Sequence, residues 1–359
     1  MSIIDRSAPP PEETFDDGGP APGPPGGEER RRRWSWWFLL APVLVLAFVL
    51  SVVRIPYFVV SPGPAEDVFP RIHVSGHPTY QPNGHLLLTS VYESPRQVNV
   101  YQALWAWIDP ASAVVPEREI LPPGQTPEQN IKVQVTEMDT SKIDAAYVAL
   151  SQYAGYPSKH GRGVLVERVV PGTPAEGKLL TGYVILAVGG KPVADPDELG
   201  KQIRAAGRGP VLFSVRSPER NRGRPFDVTI TPGRVPGLSH PGIGIGSVPN
   251  FPFPLRIDSG DIGGPSAGLM WTIGLADLLT PGNLTGGRTI AGTGAIELDG
   301  RVDPIGGVEE KVVAAQRAGA RVFFVPAQNV AAARSAAHDI IIVPVKTFRD
   351  AISYLERHP

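Results

Sequence analysis

Gly264-Pro265-Ser266-Ala267-Gly268 stands where a polar, glycine-rich loop, Asp258 to Gly264, gives way to an apolar run, Ala267 to Leu279. The run reads as a helix, which puts the serine at a helix N-terminus. Backbone N–H groups without intrahelical acceptors converge there, with the positive end of the helix dipole. Gly264, Pro265 and Ser266 are therefore read as the backbone facing a developing oxyanion, the glycine letting a substrate chain approach closely. A serine so placed needs a base to take its proton.

The next stretch that could supply one is Pro304-Ile305-Gly306-Gly307-Val308-Glu309-Glu310-Lys311, which continues into the small, apolar Val312-Val313-Ala314-Ala315. Such surroundings lower an amine's pKa, because desolvation disfavours the charged form. A neutral lysine can then serve as general base. A lysine in the first turns of a helix is usually solvated, however, and pattern alone does not pair it with Ser266. The pentapeptide also fits G-x-S-x-G, the nucleophile elbow of esterases. That motif needs a strand running straight into the serine and a later histidine. Here a loop precedes Ser266, and only His338 and His358 follow it.

Gly264–Gly268 and Pro304–Gly319 resemble the two motifs of the Lon protease proteolytic domain, and Ala291-Gly292-Thr293-Gly294 between them is similar to that family's Thr-Gly segment. The resemblance implies Ser266 as nucleophile, Lys311 as its base and Thr293 as a residue that orients the lysine. Gly263 stands where Lon tends to have aspartate, and Ala295 where it has glutamate, which implies a Lon-like relative. It covers residues ~237–359 strongly and ~66–150 weakly. In the second region a strand is expected at His85–Val91, a helix at Tyr101–Ile108, a proline-rich loop over 109–127 and a helix at Ile143–Tyr153.

Residues 155–235 carry a pattern of their own. Strands are expected at Gly163–Val170, Tyr183–Val188, Val211–Arg216 and Phe226–Thr231. A helix opens at Asp195-Pro196-Asp197-Glu198 and turns Leu199 and Ile203 inward. Val169-Val170-Pro171-Gly172-Thr173-Pro174-Ala175 and Ile185 to Val193 resemble a bacterial PDZ domain. Such domains hold a peptide C-terminus along a sheet edge. The resemblance would place the carboxylate loop at Gly161-Arg162-Gly163-Val164, although Arg162 breaks the usual Gly-hydrophobic-Gly-hydrophobic form. A PDZ that only packs and spaces is the plainer reading.

At the other end, residues 1–33 are rich in Pro, Gly and charge and are expected to be a disordered cytoplasmic tail. Trp34 to Val53 carries no charge and would span roughly 30 Å as a helix, the thickness of a bilayer core. Arg30-Arg31-Arg32-Arg33 before it should stay cytoplasmic. No A-x-A cleavage pattern follows, so an uncleaved anchor is expected, with the rest of the chain outside the cytoplasm. There is no cysteine, and 35 acidic residues nearly cancel 34 basic ones. That excludes thiol chemistry and gives no reason to expect a nucleic-acid partner.

No phosphate-binding loop of the G-x-x-x-x-G-K-[ST] type occurs. His73 and His77 are the one pair at helical ligand spacing, but Gly76 and Pro78 disfavour a helix, so no metal or other cofactor is expected. The expected fold class is α+β. A Lon-type domain (66–152 and 237–359) is interrupted by a PDZ domain (155–235), after one membrane helix at 34–53. The expected function is an ATP-independent, membrane-anchored serine endopeptidase. Its expected partners are extracytoplasmic proteins or peptides, membrane lipid and further copies of the chain. A membrane-tethered PDZ scaffold with an inert Lon-like part is the non-enzymatic alternative.

Overall fold

A computed structural model describes residues 28–359 apart from 157–159 and 218–219; the side chains of 28–39 also fall outside the description. The chain divides into two units, 1–53 and 54–359. In the first, a helix runs from Glu28 to Val52 with Pro42 inside it. It begins six residues before Trp34 and takes in the four arginines, so residues 28–33, expected as disordered tail, are helical. The tail at 1–27 lies outside the described residues. Among the described residues no helix is long and apolar enough to cross a membrane. Of the expected span, the side chains at 34–39 are not among those described.

The second unit is built on a six-stranded sheet. From edge to edge its strands are Ile341–Val345, Val322–Pro326, Thr289–Gly292, His85–Glu93, Tyr57–Asp67 and Ala113–Pro116. The first four are parallel to one another, and Tyr57–Asp67 runs antiparallel to both its neighbours. Alternation along the strands feeds two cores. Leu86, Leu88, Ile290, Val322 and Phe324 face a core built with the helices Pro127–Gln152, Gly268–Leu279 and Phe348–Arg357. Leu87, Ala291, Phe323 and Val325 face the opposite core, built with Val308–Arg317 and Val330–Ala336. Every residue of Gly268–Leu279 is buried, and the stretch is apolar apart from Thr272, which donates to Gly268 O, and Asp277, which accepts from Leu284 N–H.

Three regions depart from the sequence reading. The fold begins well before residue 66, because Ser61-Pro62-Gly63-Pro64 lies within the strand Tyr57–Asp67. Prolines are tolerated there for a physical reason: Ala113–Pro116 pairs only with residues 57–60, and a bulge between Pro62 and Ala65 breaks the register on the other flank. The region 109–127 is also more than a loop, since it holds the strand Ala113–Pro116 and the short helix Glu117–Ile120. The helix expected at Ile143–Tyr153 starts far earlier, at Pro127. Thr126 caps it by accepting from Gln129 N–H, and Gln129 reaches back to the Thr126 N–H, a capping box with proline in the first turn.

A second, antiparallel sheet runs in the order Ile245–Pro249, Val164–Val169, Val184–Val188, Val211–Arg216 and Phe226–Ile230. It has its own core, into which Leu199 and Ile203 turn from the helix Pro196–Ala206. Asp195 caps that helix by accepting from Glu198 N–H at 2.8 Å. The sheet does not stop at 235, as the sequence reading has it, but takes its first strand from 245–249. A small cluster of Ile143, Leu165, Val184 and Val248 joins this half to the long helix Pro127–Gln152.

Candidate active site

Gly264 has φ +78°, a conformation in which any side chain would be strained. It lets the chain turn from the loop into a 3-10 turn, Pro265–Ala267, that leads into the buried helix. The nucleophile candidate is then pinned through its own backbone. Ser266 O accepts from Gly294 N–H at 2.7 Å and from Thr293 Oγ1 at 3.0 Å. Pro265 O accepts from Ser141 Oγ at 3.0 Å, and Gly264 N–H donates to Gln134 O at 2.8 Å. Both of those partners lie on the helix Pro127–Gln152, in the stretch 128–142 to which the sequence assigns no element. Nothing local in the sequence ties Gln134 or Ser141 to the serine; the packing of that helix does.

Lys311 comes from the helix Val308–Arg317, which starts after Gly307 in the left-handed conformation. This helix and the serine's helix contribute to the cores on opposite faces of the sheet. Their functional side chains meet just beyond the C-terminal end of the strand Thr289–Gly292, where Thr293 follows. Lys311 Nζ lies 2.9 Å from Ser266 Oγ and 3.4 Å from Thr293 Oγ1. Lys311 and Thr293 are buried, and Ser266 is partly open to solvent. Burial pulls the Lys311 amine down to about 8, against the carboxylates of Glu93 and Glu310, which act to raise it. Glu310 is itself buried, and the loss of water raises its carboxyl.

The arrangement can therefore remove a proton. A neutral Lys311 can donate an N–H to Thr293 Oγ1 and point its lone pair at the Ser266 hydroxyl. Thr293→Val would keep the shape and delete that contact. The expected result is a fall in kcat of about 10- to 100-fold with little change in KM, read from steady-state cleavage of a small peptide. Unchanged kcat would remove Thr293 from the site.

Two expected placements need correction. Of the three residues assigned to the oxyanion backbone, Pro265 has no N–H and Gly264 N–H is already bonded to Gln134 O. Ser266 N–H is the donor that remains as a candidate. The loop Gly161-Arg162-Gly163-Val164 is not at a free sheet edge. Val164–Val169 is paired on both sides, with Val184–Val188 and with Ile245–Pro249. The loop's backbone is bonded to Asn250: Gly161 N–H donates to Asn250 O, while Arg162 O and Gly163 O accept from the Asn250 side chain and N–H. At Gly163 a Cβ would lie 2.7 Å from Ile185 O, so this glycine serves close strand packing.

The two edges of this sheet are Ile245–Pro249 and Phe226–Ile230, and the first is the one that follows a glycine-rich turn. It is entered through Gly242-Ile243-Gly244-Ile245, where the Gly-hydrophobic-Gly-hydrophobic order is intact. Ile243 O and Gly244 O are bonded inward, to Ala175 N–H and Val170 N–H, and the helix Pro196–Ala206 packs beside the strand. The pattern was readable in the sequence; its place at an edge was not.

Neither later histidine is brought to Ser266 by the contacts it makes. His338 N–H donates to Gln316 Oε1, and His358 stacks on Tyr354. The serine is entered from a loop and a 3-10 turn, without the strand that an esterase elbow requires. His73 lies in the short strand Ile72–Val74, and His77 packs against Phe253 and Tyr156. Among the described residues no cluster of three or more His, Cys, Asp or Glu could hold a metal.

Residues 258–352 match the family model of the Lon protease (S16) C-terminal proteolytic domain. The chain is 36% identical to Lon protease 2 of Bacillus subtilis (strain 168) over 110 residues, which are 31% of this chain and 19% of that protein. It is 50% identical to Lon protease 1 of Herpetosiphon aurantiacus over 68 residues, 19% of this chain and 8% of the relative. It is 42% identical to the Lon protease of Chloroflexus aggregans over 86 residues, 24% and 9% of the two. The chain thus spans less than a fifth of the length of these relatives. Among solved structures, the PDZ domain of an SdrC-like protein from Listeria innocua is similar at 24% identity and a TM-score of 0.21, covering 24% of this chain and 92% of that one. A Lon-type proteolytic domain implies serine peptidase activity.

Proposed function

We propose that the chain is a serine endopeptidase in which Ser266 is the nucleophile and Lys311 the general base. The observation that carries this reading is the buried Lys311 amine, 2.9 Å from Ser266 Oγ and beside Thr293. Lys311 takes the hydroxyl proton as Oγ attacks the peptide carbonyl. The oxyanion forms against Ser266 N–H at the head of the buried helix. The lysine then returns the proton to the leaving amine as the C–N bond breaks, which leaves an ester on Ser266. A water, deprotonated by the same lysine, hydrolyses that ester and restores the serine.

In this proposal cleavage needs no ATP, since these 359 residues hold no phosphate-binding loop. The chain is anchored through Trp34–Val53, with the catalytic part outside the cytoplasm. Something must present extended backbone to the serine, and the edge Ile245–Pro249 can do so by pairing with the end of a substrate, whose carboxylate would meet the backbone at Ile243–Gly244. The test compares an unfolded protein substrate with the same protein amidated at its C-terminus. Amidation is expected to slow its cleavage several-fold and to leave cleavage of a small internal peptide unchanged. Equal rates for the two proteins would remove the carboxylate site.

A further inference from the structure

The short helix Val100–Ile108 buries Ala106, half-buries Ala103 and exposes its large side chains. Ala106 is buried, whereas Tyr101, Leu104, Trp105 and Ile108 are 43%, 49%, 78% and 63% exposed. These four positions follow i, i+3, i+4, i+7 and so share one face. Trp107, 78% exposed, widens it. A helix that only packs on a core has the opposite distribution. No residue from 100 to 108 is charged.

The helix is a built element. Asn99 caps it, accepting from Gln102 N–H at 2.9 Å and donating its own N–H to Gln102 Oε1 at 3.0 Å. The same cap is tied to the beginning of this unit. Arg54 bridges Asn99 across an antiparallel pairing, its guanidinium donates to Gln97 O, and Ile55 N–H donates to Val98 O at 2.9 Å. Arg54 is the residue that directly follows the uncharged run Trp34–Val53. The N-terminal end of this helix is therefore fixed to Arg54, the first residue after that run.

We propose that the face formed by Tyr101, Leu104, Trp105, Trp107 and Ile108 rests in the headgroup–acyl boundary of the bilayer that holds the anchor. This inference rests on the anchor reading above. Trp and Tyr favour that boundary, where an apolar ring meets a wet rim. A helix without charge enters by apolar burial, so the contact should not depend on salt or on anionic lipid. Its effect is to hold the catalytic unit against the membrane surface, where a flexible tether alone would let it swing.

The chain has no cysteine, so single cysteines report cleanly. Val45→Cys, Trp105→Cys, Ile108→Cys and Leu212→Cys would each be labelled with an environment-sensitive fluorophore in the full chain, reconstituted in phosphatidylcholine vesicles. Leu212 is an exposed residue of the second sheet and serves as the aqueous control. Labels at 45, 105 and 108 are expected to be quenched by nitroxide lipid and to be several-fold less accessible to iodide than the label at 212, with no change at high salt. Lipid quenching at 45 with iodide access at 105 and 108 equal to that at 212 would overturn the inference and leave the anchor standing. Absence of lipid quenching at 45 would overturn the anchor and the inference together. Shielding at 105 and 108 without lipid quenching, with label–label self-quenching that grows with protein density, would assign the face to a second copy and overturn the bilayer contact.

Discussion

Lys311→Met is expected to abolish peptide cleavage while making the chain harder to unfold near neutral pH. The loss should be roughly ten-thousandfold or more, the scale seen when a member of a nucleophile–base pair is removed. Stability should move the other way because of what burial does to the amine. Its pKa is pulled to about 8 in the folded chain, against about 10.4 when unfolded. Between these values the unfolded state binds more protons than the native one, so the stability of the parent rises with pH across that window. Below about 8 the native state carries the full penalty of a buried charge, on the order of 3 kcal/mol by the size of the shift. Methionine fills similar space without the charge and removes that penalty. Activity of the parent should rise as pH passes through about 8, because the neutral amine is the base. Lys311→Arg should be inactive at every pH, since a guanidinium does not deprotonate. Denaturant melts of parent and Lys311→Met from pH 6 to 10, beside their cleavage rates, test all of this. A variant that is both inactive and less stable at pH 7 would make the lysine a structural residue.

Gly244→Ala should cost the chain its cleavage of protein substrates while cleavage of a small peptide continues. Gly244 has φ +79°, and a Cβ built there would lie 2.2 Å from Thr173 Oγ1 and 2.3 Å from its Cβ. Thr173 cannot easily give way. It is buried, and its hydroxyl donates to Val170 O and lies 3.2 Å from Gly244 O. The left-handed conformation alone costs about 1–2 kcal/mol, and the overlap adds to it by pushing the strand Ile245–Pro249 off its neighbour. Gly172→Ala is the control. Its φ is +72°, but nothing lies within 4 Å of the added carbon, so only the conformational cost applies. Amide exchange over 164–249 should loosen in Gly244→Ala and hardly change in Gly172→Ala, with protein cleavage falling in the first alone. Protein cleavage at the parental rate in a loosened Gly244→Ala would mean that the edge does not present substrate.

The grouping of Ser266, Thr293 and Lys311 was legible through the resemblance to the Lon proteolytic domain, since local pattern placed the serine at a helix N-terminus but did not pair it with the lysine. Ser266 opens an apolar helix, Lys311 enters a run of small residues, and Thr293 follows a buried strand. What was missed depended on partners distant in sequence. The strand Tyr57–Asp67 contains Pro62 and Pro64, which argue against a strand until it is known that its neighbour pairs only with the first few residues. The first half of the helix Pro127–Gln152 shows Ile131, Val133 and Val135 in alternation, a period that argues against a helix. All three are exposed, so the period carried no information about a core. The better signal was Thr126-Pro127-Glu128-Gln129, a capping box with proline in the first turn. The edge of the second sheet was misplaced because sheet order is decided by long-range pairing, and 245–249 joins a strand some eighty positions earlier.

Covalent capture decides whether Ser266 attacks with Lys311 as its base. A peptide carrying a β-lactone would acylate the nucleophile by ring opening, and mass spectrometry would locate the ester. One adduct is expected, on Ser266, formed faster as pH rises through about 8 and not formed at a measurable rate in Lys311→Met. An adduct on another residue, or one that forms on Ser266 equally fast without Lys311, would contradict that mechanism.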